Sequence, residues 1–494
     1  MRSPSPRLSL AALLLLTAFS ASCVSSGRAP TQYLVTDHGA VGDGSTVNTK
    51  SIQGTIDLCA AGGGGVVVVP KGVFLSGALY FKPGVNLDVQ KDAVLKSTTA
   101  MADFPPLYTS WEGYERYWSS AFLNFIGMND VTVSGEGTID GSGLGWGGPR
   151  TPRSAGTAGP RPAAPPVPAA TAAPLPKVAD VYPTPLPTTM SLNFAPDPAH
   201  LPPINAAGLA LPGGAGRVSP PRALVFQNCT NVHVSGLHLK NQARWGFVFI
   251  YCTGVVAEDL NVRLDDYIPS SDGIDICSSR DVRISRCDIA CTDDDISIKA
   301  GKDEDGLRVN RPAENITISD CIFGTGGGVA MGSEVSGGVR HVLVQRCKFT
   351  GSGSAARIKS QPSRGGVIED IVYRDFQVTD VARAISFELE WRMVGPAVPP
   401  AKVLTVVRNV RLINITGTAQ AAGVIQGLKG SPIQDLRIEN CKLTVQRGLV
   451  LSNVQDPDLS GLDLKVASGE AIIRGMPPSP SAAPANVPGG AGRP

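Results

Sequence analysis

The feature that most constrains the fold is a repeating unit of roughly 22–30 residues, in which two short apolar strands flank a polar turn. Three consecutive copies occupy 223–239, 247–262 and 273–289, and their turns contain Asn, Ser, Thr or Gly. Further copies follow at 316–323, 342–349, 406–416 and 433–443. Such a unit is typical of one coil of a β-solenoid. No segment sustains three-to-four periodicity over the length that helical repeats need, and the Leu spacing is not that of leucine-rich repeats. The sequence therefore predicts an all-β fold, a single-stranded right-handed parallel β-helix.

Composition sets the limits of this solenoid. It is predicted over 33–475, with an interruption at 147–221 that is rich in Pro, Ala and Gly and has no apolar periodicity. The tail 476–494 has the same composition. Both segments are predicted to be largely disordered, because of this composition and the absence of apolar periodicity.

One amphipathic helix is predicted near the start of the solenoid, at 49–60. Ile52, Ile56 and Cys59 share one face of it at helical spacing. The glycines at 62–65 end the helix and are not followed by the Lys-Ser/Thr pair of a phosphate loop. We expect the helix to cap the N-terminal edge of the solenoid, which would otherwise invite aggregation.

The first 23 residues are predicted to be an export signal. Arg2 and Arg7 precede an apolar stretch at 8–19, which is followed by small residues. This stretch is too short to span a bilayer, so no transmembrane helix is expected. Cys23 lies in a sequence similar to a bacterial lipoprotein cleavage box, so a lipid anchor remains an alternative to full secretion. We expect the protein to be secreted, periplasmic or associated with the cell envelope.

Charge and cysteine content exclude several functions. The net charge is +2 and there is no basic run, so no nucleic-acid partner is expected. Nine cysteines follow Cys23 without close pairs, which argues against a full disulfide framework and a zinc site. Cys229, Cys252 and Cys277 are interpreted as stacked interior positions, with one or two disulfides left open. We expect a monomer with no cofactor and no metal.

The strongest functional signal is a set of three aspartates. Asp293 and Asp294 follow Asp272 by about one coil, so the three carboxylates should lie side by side on adjacent coils. Glycoside hydrolysis needs such a cluster, with one protonated carboxyl as acid and another as base. A turn-capping role for a single aspartate and a calcium site are the alternatives.

Two cations and several aromatic residues accompany this cluster. Arg357 and Lys359 alternate on one strand face and could bind an anionic sugar such as a uronate, the alternative being a solvated surface. Trp111 and Tyr114 are candidates for a wall of the substrate cleft, with packing onto the solenoid as the alternative. Trp391 is a weaker candidate.

These motifs, in this order, resemble glycoside hydrolase family 28, the polygalacturonases and their relatives. The resemblance covers most of the chain, and its remaining motifs lie at 37–44, 135–141 and 241–245. The aspartate of the family's Asn-Thr-Asp motif is Asp272, and the Asp-Asp pair is Asp293 and Asp294. The Arg-Ile-Lys motif is matched in full by 357–359.

The resemblance implies a parallel β-helix and inverting hydrolysis of a pectin-type acidic polysaccharide. It implies that Asp293 is the general acid, while Asp272 and Asp294 position and deprotonate the attacking water. Inversion implies an acid and a base roughly 6.5–9.5 Å apart. Arg357 and Lys359 would bind a galacturonate carboxylate.

One departure from the family concerns its Gly-His-Gly motif. Gly327 stands at the position of the histidine, in the substrate-binding part of the site. Asp295 stands where a small or apolar residue is expected, and it either adds acidity or points away. The exact polysaccharide is therefore open, and the alternatives are a β-helical pectin lyase or a catalytically weakened carbohydrate-binding relative.

Overall fold

The computed structural model describes residues 30–146, 219–391 and 398–475. Predictions for the export signal and Cys23, for nearly all of 147–221 and for the tail lie outside these residues. Within them, 32 strands form one continuous parallel sheet around one large apolar core. This arrangement confirms the predicted all-β parallel β-helix.

Each coil contributes strands to three stacks, and the strands are numbered β1 to β34 in chain order. The first stack contains β1 Gln32–Leu34, β3 Gly65–Val69, β6 Val85–Val89, β11 Asn129–Ser134, β14 Thr230–Ser235, β17 Thr253–Glu258, β20 Arg280–Ser285, β23 Ala313–Ser319, β26 Val339–Gln345 and β31 Gln434–Glu439. The second contains β2 Asp43–Val47, β4 Gly72–Ser76, β7 Ala93–Ser97, β12 Thr138–Asp140, β15 His238–Lys240, β18 Asn261–Arg263, β21 Asp288–Ile289, β24 Ile322–Phe323, β27 Lys348–Thr350 and β33 Leu462–Val466. The third contains β5 Leu79–Tyr80, β10 Leu123–Ile126, β13 Leu224–Gln227, β16 Phe247–Ile250, β19 Ile274–Cys277, β22 Ile296–Lys299, β25 Val329–Met331, β28 Ser354–Lys359 and β34 Ile472–Arg474.

The last coils and the loops contain the remaining elements. Three long strands bend through two or three stacks: β29 Val367–Glu388, β30 Val406–Gln426 and β32 Cys441–Ser452. A separate antiparallel hairpin consists of β8 Pro106–Trp111 and β9 Tyr114–Ser119. The helices are α1 Thr49–Ala61, α2 Asp303–Val309 and the 3-10 turns Val35–His38, Met101–Asp103 and Gly143–Trp146. Across the described ranges, no helix is long and apolar enough to span a membrane.

The helix α1 packs on the first coils, against β1, β3, β5 and β6. Ile52, Ile56 and Cys59 are buried on the face that the sequence predicts. The predicted helix is confirmed, and its position at the open end of the first coils is that of a cap.

The core is built from equivalent positions of successive coils. Phe125, Phe226 and Phe249 lie on β10, β13 and β16 and are in register with one another. Their rings stack at centroid distances of 4.7 and 5.2 Å. Each such pair contributes about 0.5–1.5 kcal/mol beyond the burial of its area. Stacking of like residues between coils therefore stabilises the fold.

Asparagine and aspartate recur at the second or third position of first-stack strands, where the backbone is left-handed. Asp130, Asn231, Asp281 and Asn315 all have φ between 53° and 56°. Short polar side chains tolerate this conformation better than most others. Asn231 also donates a 3.0 Å hydrogen bond to Asp130 on the preceding coil, as Asn315 does to Asp281. These ladders help to fix the coil register.

The structure confirms the predicted interior position of two of the three cysteines and corrects that of the third. The nine cysteines of the described residues are free, so no disulfide links them. Cys229 and Cys252 are buried as predicted, but Cys277 is only half-buried. In the strand register, Cys277 lies opposite Lys299 of β22. Its side chain faces outward, because Ile274 and Ile276 take the inward positions of β19.

Candidate active site

Three carboxylates meet on the outer face of the third stack. Asp272 precedes β19, and Asp293 and Asp294 precede β22. The pairing of Ile274 with Ile296 places Asp272 beside Asp294 on the adjacent coil, as their spacing predicts. One oxygen from each carboxylate lies within 4.8 Å of the other two, which is shorter than the separation of roughly 6.5–9.5 Å expected between the acid and the base of an inverting enzyme. Two hydrogen bonds from one water span about 4.5 Å, so a single water molecule can bridge two of these groups.

The three carboxylates differ in their surroundings. Asp272 and Asp294 are 2% and 0% exposed, whereas Asp293 is half-buried. Asp272 and Asp294 have ion-pair partners, but Asp293 has none among the described residues. Its Oδ1 accepts a 2.9 Å hydrogen bond from the amide of Asp294. Asp293 is therefore the carboxyl most available to exchange a proton with a bound ligand.

A buried lysine lies on one side of the cluster. The Nζ of Lys299 donates to Asp272 at 3.0 Å and to Asp275 at 2.7 Å. The same atom lies 4.1 Å from the ring centroid of Trp245. Burial opposes the charge of Lys299, but Asp272, Asp275 and Glu334 outweigh it and raise its pKa. Lys299 is therefore a permanent cation at the base of the site.

The acids around this lysine are hard to ionise. Burial raises the pKa of Asp272 well above its ordinary value, although Lys299 acts in the opposite direction. Burial also raises the pKa of Asp275 to about 6. Sequence reasoning missed Asp275 and Lys299 as members of the site. The alternation of apolar residues in the sequence could have identified Asp275. Ile274 and Ile276 face inward, which places Asp275 on the outer face of the strand, where the site lies.

Two further cations lie on the other side of the cluster. Arg357 donates to Asp294 Oδ1 at 2.9 Å, and Lys359 donates to Asp294 Oδ2 at 2.5 Å. Burial opposes the charge of Asp294, but Lys359 and Arg357 outweigh it and lower its pKa to about 2. Both cations share one strand face, as their alternation predicts, while Ile358 enters the core. They contact the carboxylate cluster directly, in addition to any sugar they bind.

Gly327 lies where its lack of a side chain matters. A Cβ at this position would be 2.6 Å from Asp294 Oδ1 and 2.7 Å from the Arg357 guanidinium. Both distances are shorter than real Cβ contacts. The glycine therefore leaves the space through which Arg357 reaches Asp294, and it is not itself a ligand-binding side chain.

Asp295 points away from the cluster, which decides between the two alternatives for this residue. Its Oδ2 accepts a 2.9 Å hydrogen bond from the amide of Gly328. The thiol of Cys291 lies 3.4 Å from Oδ1. Burial raises the pKa of Asp295 well above its ordinary value. Asp295 therefore supports the turn beneath the site and takes no part in the carboxylate cluster.

The hairpin β8–β9 covers one side of the site. Its residue Trp111, however, does not form an aromatic subsite for a sugar. Trp111 is 2% exposed, and its ring stacks on Trp118 at 4.8 Å and on Trp245 at 5.6 Å. Arg222 lies 5.3 Å from the same ring. No face of Trp111 is left for a sugar, so the packing alternative describes it.

Tyr114 connects the hairpin to the loop after β22. Its hydroxyl donates a 2.6 Å hydrogen bond to Asp303, which also pairs with Arg364. Lys302 lies 5.1 Å from the ring centroid, and its amide donates to the carbonyl of Gly113. Tyr114 therefore holds the hairpin in place beside the site.

Trp391 lies at the cationic end of the site. It is half-buried, and its amide donates a 2.8 Å hydrogen bond to the carbonyl of Ser360. Arg357 and Lys359 lie 5.1 and 5.6 Å from its ring centroid. Unlike Trp111, it therefore remains accessible to a sugar ring.

Comparisons of the sequence with known proteins point to one family. A model described as "Glycosyl hydrolases family 28" matches residues 213–460. A "Probable polygalacturonase" of Vitis vinifera is 26% identical over 373 residues, which are 73% of this chain and 63% of that protein. An "Exo-poly-alpha-D-galacturonosidase" of Dickeya chrysanthemi is 26% identical over 410 residues, 78% of this chain and 63% of that protein. The chain thus spans just under two thirds of the length of these two relatives.

Solved structures support the fold. An exopolygalacturonase from Thermotoga maritima matches 90% of this chain and 93% of its own, with a TM-score of 0.66 and 24% identity. The family 28 exopolygalacturonase of Yersinia enterocolitica matches 90% of this chain and 77% of its own, with a TM-score of 0.67 and 19% identity. Both comparisons support the parallel β-helix described above.

Proposed function

The chain belongs to the glycosyl hydrolases of family 28, and from this premise we propose that it hydrolyses glycosidic bonds in a pectin-type, galacturonate-containing polysaccharide. The observation that carries the proposal is the arrangement of three carboxylates within 4.8 Å, with Lys299 on one side and Arg357 and Lys359 on the other. Carboxylates supply the acid and base of glycoside hydrolysis. The cations suit an anionic sugar.

Asp293 is assigned as the general acid. It has no ion-pair partner in the described parts of the chain and is the most accessible of the three carboxyls. It donates its proton to the glycosidic oxygen as the bond from that oxygen to the anomeric carbon breaks. The carboxylate left behind regains a proton from solvent.

Asp272 and Asp294 are assigned to the attacking water. Asp294 stays ionised because its two cations lower its pKa to about 2, so it orients the water. Asp272 has the raised pKa of a buried acid and therefore accepts the proton that the water releases. The water attacks the anomeric carbon on the face opposite the leaving oxygen. A single displacement of this kind inverts the anomeric configuration.

A metal-dependent alternative is disfavoured by the cations themselves. The three carboxylates have the types of oxygen that calcium binds. Lys299 takes up an oxygen of Asp272, and Arg357 and Lys359 take up both oxygens of Asp294. A divalent cation would have to displace these ion pairs, so a calcium-assisted lyase fits the site less well than a hydrolase.

A product screen tests the proposal. The purified protein is incubated with polygalacturonate, rhamnogalacturonan and xylogalacturonan, and reducing ends and ultraviolet absorbance are followed. We expect reducing ends without unsaturated products. Asp293→Asn should lower kcat by at least about 100-fold, the usual contribution of a general acid. The matched control is Asp281→Asn, on β20 of the first stack.

Three outcomes would contradict the proposed function or the assignment of Asp293. Unsaturated products would indicate a lyase, and no cleavage of any substrate would favour a carbohydrate-binding protein. Full activity of Asp293→Asn would remove this residue from the role of acid.

We also propose that the protein is exported. Arg2, Arg7 and the apolar stretch at 8–19 support this proposal, and Cys23 raises the question of a lipid anchor. Cell fractionation of the full chain tests it, with Cys23→Ala as the comparison. Recovery of the full chain in the cytoplasm would contradict export. An unchanged distribution of Cys23→Ala would argue against the anchor.

A further inference from the structure

We propose that Arg116 and Arg244 form a second carboxylate-binding subsite, on the side of the catalytic carboxylates opposite to Arg357 and Lys359. This inference rests on the proposed hydrolysis of a galacturonate-containing polysaccharide. It narrows the substrate class to stretches in which uronates with free carboxylates lie on both sides of the bond that is cleaved.

The order of the coils places the two cationic regions on opposite sides of the catalytic groups. Arg244 precedes β16, whose residue Phe247 pairs with Ile274 just after Asp272, so Arg244 lies one coil before Asp272. Arg357 lies on β28, which follows β22 and β25 in the third stack. With neighbouring strands about 4.8 Å apart, the backbones at Arg244 and Arg357 are about 19 Å apart along the solenoid. An oligosaccharide lying along this face passes both regions.

The two guanidinium groups lack hydrogen-bond and ion-pair partners among the residues that the structure describes. Within the described residues, neither Arg116 nor Arg244 has an ion pair or a side-chain hydrogen bond, and the Nε of each is fully buried and unsatisfied. Leaving a buried donor unpaired costs about 1–3 kcal/mol. Arg357, by contrast, is paired with Asp294. A fold tolerates such unpaired cations most readily where a bound ligand supplies their hydrogen bonds and their counter-charge.

Both groups lie near the tip of the hairpin. Glu112, at this tip, is close enough to act electrostatically on both arginines, and Asp272 and Asp293 act on Arg244. Burial nevertheless lowers the pKa of both arginines, because these acids do not pair with them. Arg116 lies 4.8 Å from the ring centroid of Tyr114, which fixes its position.

The chemistry of the pair selects a carboxylate. Guanidinium groups present parallel N–H donors that match the two oxygens of a carboxylate. A free uronate offers such a group, whereas a methyl-esterified uronate and a neutral sugar do not. The subsite should therefore favour de-esterified galacturonan over polymers in which uronates alternate with neutral sugars.

The test compares the full chain with Arg116→Gln, Arg244→Gln and the double variant. Steady-state kinetics are measured on polygalacturonate and on highly methyl-esterified pectin. We expect each single variant to lower kcat/KM on polygalacturonate by about 10-fold, the loss of one charge-assisted hydrogen bond, mainly through KM. Activity on the esterified polymer should change little. Arg244→Lys should retain part of the preference because it keeps the charge.

The matched control is Arg340→Gln, which removes an arginine paired with Glu314 on the first stack. This variant should leave the preference for free uronates unchanged. Thermal unfolding gives a second readout, since removing an unpaired buried cation should leave the melting temperature unchanged or raise it.

The outcomes separate this inference from the proposed function. If the unaltered protein cleaves neither polymer, the proposed function fails. If it cleaves polygalacturonate and the double variant keeps the original preference, the second subsite is wrong. A lower melting temperature in the glutamine variants would also overturn the inference, because it would assign the arginines a structural role.

Discussion

Lys299 Nζ lies 3.0 Å from Asp272 Oδ2 on the neighbouring coil, and both side chains are almost completely buried. A buried carboxylate without a partner would be neutral at most pH values. The lysine therefore favours the charged form of Asp272, although burial still holds the pKa of Asp272 well above its ordinary value. The ring of Trp245 lies against the same ammonium group and limits its contact with water.

Removing this lysine should damage both stability and catalysis. Lys299→Met leaves Asp272 and Asp275 buried without their cation, so we expect the free energy of unfolding to fall by about 3–5 kcal/mol. We also expect kcat to fall by at least about 100-fold, because the loss of Lys299 would raise the pKa of Asp272 further and leave less of it ionised as a base. Urea unfolding and product assays measure the two effects. The control is Lys82→Met, which removes an exposed pair with Asp57 worth at most about 1 kcal/mol. Equal losses in both variants would contradict the role of Lys299.

Asp275 should make stability depend on pH in a defined direction. Its pKa in the folded protein is about 6, raised from an ordinary value of 3.8 by burial. The folded form thus binds the proton more tightly than the unfolded chain. Its contribution to stability is therefore greatest below about pH 4 and is lost as the pH rises through about 6. Asp275→Asn has no carboxyl to ionise and so avoids this loss of stability. The free energy of unfolding of the variant, relative to that of the unaltered protein, should therefore increase between pH 4 and 7. Urea unfolding at several pH values measures the difference, and a constant difference would refute the prediction.

Much of the architecture follows from short-range patterns. The strand–turn–strand repeat predicts the coils because Val and Ile at alternate positions must be buried, and the turns require Asn, Asp or Gly. The one-coil spacing of Asp272 and Asp294 likewise predicts their adjacency, because parallel strands align equivalent residues.

What the sequence could not predict are contacts that depend on loops and on three-dimensional distance. The ion pairs of Asp294 with Arg357 and Lys359 join residues that are more than 60 positions apart in the chain. The burial of Trp111 depends on how its hairpin folds onto Trp245, which no local pattern determines. The approximate spacing of the cysteines predicts an interior position for Cys277, which is wrong because the alternation of its strand places it outward.

Adding one methyl group at Gly327 should disturb the cluster. The new Cβ would lie within 2.7 Å of both Asp294 Oδ1 and the Arg357 guanidinium, so Gly327→Ala must separate these two groups. Asp294 then loses a charge-assisted hydrogen bond, and we expect kcat/KM on polygalacturonate to fall about 10-fold. The pKa of Asp294 should rise from about 2, because one of its cations moves away. The control is Gly54→Ala, whose Cβ would contact nothing within 4 Å. Unchanged kinetics in Gly327→Ala would show that the Arg357 contact is dispensable.

Substitution by leucine should affect stability at Trp111 and substrate binding at Trp391. Trp111→Leu removes a ring that stacks between Trp118 and Trp245, so it should lower the free energy of unfolding by about 3 kcal/mol and leave KM unchanged. Trp391 is half-buried beside Arg357, so Trp391→Leu should raise KM on polygalacturonate several-fold with little loss of stability. Thermal unfolding and steady-state kinetics of the two variants check the contrast, and each serves as the control of the other. A rise in KM for Trp111→Leu alone would place the aromatic subsite at the hairpin, because the ring would then have to be uncovered when the sugar binds.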